Sequence, residues 1–202
     1  MSYTDVQIVP KRIAAKKNRA INISNTVEIN GVSYSFNRVH ILNDAVSVIV
    51  PEQFGEMTEE AAKLKYPSEH RPQCIYTTND GSINIAFDLP DYPLEKSQIE
   101  EKISEWKLAI KRVNPAYVFY IEKIEILENT KIGYFDFKSY PLDQDLYSLI
   151  FITSIGGKLL LGTFNCPFVQ YRDWKRLAVQ MILSIEDTAM GADETSGDEE
   201  VN

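Results

Sequence analysis

His70 and Cys74 stand four positions apart in the stretch KYPSEHRPQCIYTTNDGS, Lys65 to Ser82. An imidazole beside a thiolate can serve as base and nucleophile, and the same two side chains can ligate a metal. The supply is small. The chain holds two histidines, His40 and His70, and two cysteines, Cys74 and Cys166. A four-ligand zinc site would need all of them, at spacings of no known finger type. Pro72 lies between His70 and Cys74 and forces an extended local chain, and Cys74 then opens a strand. The side chains are therefore expected to diverge, leaving a loop histidine beside a core-facing cysteine. Cys166 reads as a second buried residue at a strand end. No catalytic residue, metal site or cofactor is assigned.

Other patterns give less. Asp143 and Asp145 fall in PLDQDL, a loop between strands, without the third acid and glycine of a calcium loop. There is no G-x-S-x-G, no phosphate-binding loop and no glycine-rich dinucleotide fingerprint. The two tryptophans sit on helical apolar stripes and read as core. The tyrosines are better candidates for contact: Tyr117, Tyr120, Tyr134, Tyr140 and Tyr147 lie in or beside the strands of the second half. A ring with a polar tip suits a partner surface.

The elements that must position these residues are legible from turns and periodicity. Asn30-Gly31 inside VEINGVSYSF marks a hairpin, because both residues tolerate positive φ. RVHIL and AVSVIVP form a second strand pair across Asn43-Asp44. A short helix over MTEEAAKLKYP has Thr58 to cap it and Pro67 to stop it. QCIYTTN and SINIAFDL flank Asp80-Gly81, and Ile83, Ile85 and Phe87 share one sheet face. The clearest helix runs over Leu94–Pro115, with Ile99, Ile103, Trp106, Ile110 and Val113 as one stripe and Ser97 and Glu100 at capping-box spacing. Four strands follow: YVFYIEKIEIL, KIGYFDFKSY, LYSLIFITSI and KLLLGTFNC, with Gly156-Gly157 between the last two. A final helix, about 169–186, carries the stripe Trp174, Leu177, Ala178, Met181, Ile182 and Ile185.

The fold class implied is α+β: a twisted, mainly antiparallel sheet with helices packed on its faces. The chain has 202 residues, 44% hydrophobic and 25% charged, enough for one domain with a sizeable core. The division expected is a flexible basic arm over residues 1–26, a single domain over 27–186 and a disordered acidic tail over 187–202. The arm carries a net +4 and the tail a net −6, in a chain of net −8. That balance argues against a general nucleic-acid binder, and the arm lacks the interleaved aromatics of a nucleic-acid site. No apolar run of signal-peptide length follows the first charges, and no apolar run is long enough for a membrane span. The compartment expected is the cytoplasm.

Two stretches carry a family resemblance. VSVIVPEQF, Val46 to Phe54, is a strand running into proline and an aromatic before a short helix. TFNCPFVQYRDWKRLAVQMILSI, Thr163 to Ile185, is a last strand ending in Cys-Pro, then a helix with a central tryptophan and a terminal Ser-Ile. Over about residues 38–186 the chain resembles the PsbP-like superfamily, which includes DcrB-like bacterial proteins and a eukaryotic Ran-binding nuclear-transport factor. The basic arm, the acidic tail and the Asn-Gly hairpin depart from the usual pattern. The resemblance implies a PsbP-like α/β/α sandwich and a binding or scaffolding role without catalysis, such as an adaptor or chaperone for a bacterial secretion-related partner. The partner implied is another protein; a homodimer is compatible with this reading. The competing expectation is an enzyme or small-ligand binder with a pocket between the sheet and the tryptophan helix.

Overall fold

The computed structural model describes residues 22–68 and 71–189. His70, the arm up to residue 21 and the tail from residue 190 lie outside the described residues. Asn30 (φ 52) and Gly31 (φ 78) turn β1 (Val27–Ile29) onto β2 (Val32–Tyr34) in the register Ile29↔Val32. The next turn is longer than Asn43-Asp44. Leu42, Asn43 and Asp44 all take positive φ between β3 (Phe36–Ile41) and β4 (Val46–Pro51). After β5 (Gly55–Glu56), helix α1 (Glu59–Lys65) starts where the Thr58 hydroxyl accepts from the Ala61 N–H at 3.3 Å. Strands β6 (Cys74–Thr77) and β7 (Asn84–Asp88) then flank the Asp80-Gly81 turn.

Helix α2 (Ile99–Val113) begins with its stripe at Ile99, later than the expected start at Leu94. A 3-10 turn, Lys96–Gln98, precedes it, and the Glu95 N–H donates to Gln98 Oε1 at 2.9 Å, so Ser97 and Glu100 do not make the cap. Ile99 and Ile103 are buried and Val113 is exposed. Four long strands follow: β8 (Val118–Ile126), β9 (Lys131–Ser139), β10 (Leu146–Ile155) and β11 (Lys158–Pro167). A 3-10 turn, Phe168–Gln170, leads into α3 (Tyr171–Leu183), whose stripe Trp174, Leu177, Ala178, Met181 and Ile182 is fully buried. A short strand β12 (Glu186–Asp187) pairs with β4.

The sheet is seven-stranded and antiparallel, in the order β5-β6-β7-β11-β10-β9-β8. Period-two alternation sends its residues to opposite faces. On one face Phe135, Phe137, Ile150 and Ile152 pack with Ile99 and Ile103 of α2. On the other, Phe87, Tyr134, Phe151 and Phe164 pack with α3 and with Val46, Val48 and Val50 of the three-stranded sheet β12-β4-β3. This is the layered α+β arrangement expected. Two glycines permit it. At Gly133 a Cβ would lie 3.0 Å from Ile99 Cγ2, so α2 can approach closely. At Gly162, opposite Phe151, a Cβ would meet that ring at 2.0 Å.

Hydrogen bonds reach described residues on either side of 27–186. Before β1, the Ile23 N–H donates to Gln180 Oε1 of α3 at 2.9 Å. In β12 Asp187 Oδ2 accepts from the Gly156 N–H at 2.7 Å, and just beyond it the Thr188 hydroxyl donates to the Asp44 carbonyl. Among the described residues, no helix is long and apolar enough to cross a membrane.

Candidate functional site

Cys74 is buried at the start of β6, as its place at a strand entrance suggests. Its thiol faces Glu56 Oε1 at 3.9 Å. Burial, with the Glu56 charge adding to it, pushes the thiol up to about 12. A thiol held there is protonated at neutral pH, the form that attacks poorly. Cys166, buried at the end of β11, is likewise pushed up to about 12, by burial first and then by Asp173. Among the described residues, the histidine that shares a cleft with Cys74 is His40. That cleft, about 580 Å³, is lined by His40, Asp44, Glu56, Gln73 and Cys74 among others, with the left-handed Leu42-Asn43-Asp44 turn at its lip. Among the described residues, no group of three or more His, Cys, Asp or Glu could hold a metal. The space between the sheet and α3, expected as the pocket of an enzyme or ligand binder, is filled: Trp174 packs there against Tyr34, Phe54 and Phe164 at ring distances of 5.0, 5.6 and 6.1 Å.

A second constellation forms at the β8–β9 end of the α3 face. Its centre is Asp136 of β9, fully buried among apolar neighbours. A buried carboxylate is tolerable only when its oxygens are satisfied. Oδ2 accepts from Lys175 Nζ of α3 at 2.6 Å and from the Tyr147 hydroxyl of β10 at 3.0 Å. Oδ1 accepts from the Ile121 N–H at 2.8 Å. That N–H is free because the β8–β9 register shifts between Phe119 and Glu122, a bulge that sets both Tyr120 and Ile121 opposite Asp136. The bulge thus puts Ile121 on the α3 face beside Tyr120, and the carboxylate pins the bulge. Burial, then the Asp136 charge, holds the Tyr147 phenol far above its ordinary value.

Over this buried polar centre lies a platform of rings and cations. Phe168 and Tyr171 stack at 4.7 Å, and Tyr120 stacks with Phe168 at 6.5 Å. Lys138 Nζ sits 4.9 Å from the Tyr140 ring centre and 4.3 Å from that of Phe168, while forming a 2.6 Å pair with Asp145. Lys175 Nζ lies 5.7 Å from the Tyr120 ring and the Arg172 guanidinium 5.9 Å from that of Tyr171. Cations over ring faces hold both partners in place. The Asp143–Asp145 loop therefore supplies one counter-ion to the platform.

The five tyrosines separate accordingly. Tyr120 and Tyr140 are 45% and 44% exposed and flank the platform. Tyr147 is buried beneath it, and Tyr134 is buried on the same face. Tyr117 belongs to the opposite face, stacked on Phe137 at 5.3 Å. Burial removes Tyr134 and Tyr147 from any contacting surface. Sequence reasoning missed Asp136, Lys138, Phe168, Tyr171 and Lys175. One signal was available: Asp136 is the lone charge in GYFDF, whose neighbours are all apolar or small.

No protein-family model matches the sequence, and no curated protein does so significantly. Among solved structures, cyanobacterial PsbP (CyanoP) from Synechocystis sp. PCC 6803 superposes with a TM-score of 0.56 at 10% identity, over 81% of this chain and 98% of that one. LpqN, involved in cell envelope biogenesis of Mycobacterium tuberculosis, gives a TM-score of 0.48 at 10% identity, over 77% of this chain and 91% of that one. With the layers, the strand order and the first of these superpositions together, the chain has the PsbP-like fold.

Proposed function

We propose that the chain is a non-enzymatic protein-binding module whose contact surface is the aromatic–cation platform of Tyr120, Tyr140, Phe168 and Tyr171. The observation that carries this reading is the exposure of Tyr120 and Tyr140 above a fully satisfied buried centre. Rigid aromatics backed by cations are what interfaces concentrate, because they bury much area at little cost in side-chain entropy. The protonated Cys74 thiol supports a role without covalent catalysis. An adaptor or chaperone for another protein, such as a secretion-related partner, fits such a surface. Two buried free thiols fit a reducing, cytoplasmic compartment.

Capture of partners from native lysate on the wild-type chain and on Tyr120→Ala/Tyr140→Ala tests it. The expected result is one stoichiometric protein, with binding weakened about thirtyfold in the double variant, the size of an interface hot spot. Recovery of no protein by the wild type, or equal recovery by a folded double variant, overturns the reading. The His40–Glu56–Gln73 cleft favours a second reading, a site for a small polar ligand. A thermal-shift screen in which stabilisation disappears on His40→Ala would select it.

A further inference from the structure

The seven-stranded sheet has two unequal edges. One is β5, only two residues long. The other is the nine-residue β8, and among the described residues no strand pairs with its outer side. An open edge presents unpaired N–H and C=O groups to any strand that fits. The bulge disrupts its first half, but Glu122–Ile126 runs in unbroken register with β9. That half ends in exposed apolar side chains, with Ile126 at 79% and Leu127 at 37%.

We propose that this edge is where a second copy of the chain binds: two β8 strands pair antiparallel over Glu122–Ile126, with Ile124 on the two-fold axis. The pattern of faces and charges selects this arrangement. Glu122, Ile124 and Ile126 lie on the α2 face; Glu122 accepts from Ser104 at 2.6 Å and from Lys107 at 2.8 Å, both on α2, and Ile124 packs with its cluster. Lys123 and Glu125 lie on the α3 face and form a 3.6 Å pair. A two-fold axis perpendicular to the sheet preserves its faces, so each residue can stand only opposite one of its own face.

The axis must therefore pass through a residue. Through Glu122 or Glu125 it sets a carboxylate against its own copy, and through Lys123 an ammonium against its own copy. Through Ile126 it slides much of the stretch out of overlap. Through Ile124 the whole stretch pairs with itself: isoleucine meets isoleucine, and Lys123 of each copy meets Glu125 of the other. Opposite charges directly across a ladder attract and like charges repel. The same charges that favour this register oppose its neighbours.

Sedimentation equilibrium of the full chain over a concentration series tests the proposal. The wild type is expected to show a concentration-dependent dimer. Lys123→Glu and Glu125→Lys should each weaken dimerisation about tenfold or more, because two symmetric cross-strand pairs turn repulsive. Combining them in K123E/E125K should restore it. A wild type that stays monomeric at every concentration overturns the proposal. So does a dimer indifferent to the single changes, or a folded double variant that fails to recover.

Discussion

Asp136 is the residue on which most depends. Its carboxylate serves a strand bulge, a helix lysine and a buried phenol at once. Asp136→Ala leaves the Tyr147 hydroxyl and the Ile121 N–H buried without an acceptor, while Lys175, partly exposed, can turn to water. The expected loss is about 3 kcal/mol, the lower end for breaking a buried pair, read by urea denaturation. Tyr147→Phe should cost about 1 kcal/mol, since the other two donors still satisfy the carboxylate. The thiols give a pH prediction. Cys74 and Cys166 are held up to about 12 against an ordinary 9.0. Their folded values exceed their unfolded ones, so the stabilisation is whole below pH 9 and is lost as pH rises toward 12. In that window each thiol lowers stability by about 1.4 kcal/mol per pH unit. The melting temperature should begin to fall near pH 9, and in Cys74→Ala/Cys166→Ala the fall should begin near pH 10, where tyrosines take over. Iodoacetamide at neutral pH should label neither thiol until denaturant is added.

At the scale of elements, two contacts are set by the absence of a side chain. Gly133→Ala pushes a methyl against Ile99 and Ile103, and α2 must shift by a few tenths of an ångström; about 1–2 kcal/mol is expected. Gly162→Ala meets the Phe151 ring far inside contact distance and should cost more, about 3 kcal/mol. Phe151→Leu should recover part of that loss in a double-mutant cycle by thermal denaturation. The elements themselves were largely legible in the sequence, because their signals are local. Asn30-Gly31, Gly81 and Gly156-Gly157 adopt the positive φ that their residue types favour, and the Trp174 stripe is buried as its spacing requires. The platform was less legible. Residue counting along β8 cannot reveal an extra residue opposite Asp136, yet that bulge decides which face Ile121 and every later residue of β8 takes. The tyrosines alone could not show which would be covered: Tyr134 and Tyr147 share the α3 face and are buried by what packs on it.

The whole molecule is joined by a pairing that no local signal announced. The strands β8 to β11 are successive neighbours joined by short turns, and β6 with β7 is a hairpin. Among the described residues, the two groups pair strand to strand where β7 lies along β11, in the register Leu161↔Asp88 to Asn165↔Asn84. At one end of that seam Asn84 Nδ2 donates to Asn165 Oδ1 at 3.0 Å, across 81 positions of sequence, while Asn84 Oδ1 accepts from Thr77 and Lys65. The consequence is kinetic. Closing so long a loop costs entropy before any contact returns it, so the meander and the hairpin should form first and the seam last. In stopped-flow refolding, Asn165→Ala should speed unfolding and leave the folding rate nearly unchanged, whereas Ile152→Val in the meander should slow folding. The β7–β11 seam then sets how long a native molecule lasts, and the β8–β11 meander sets how soon one appears.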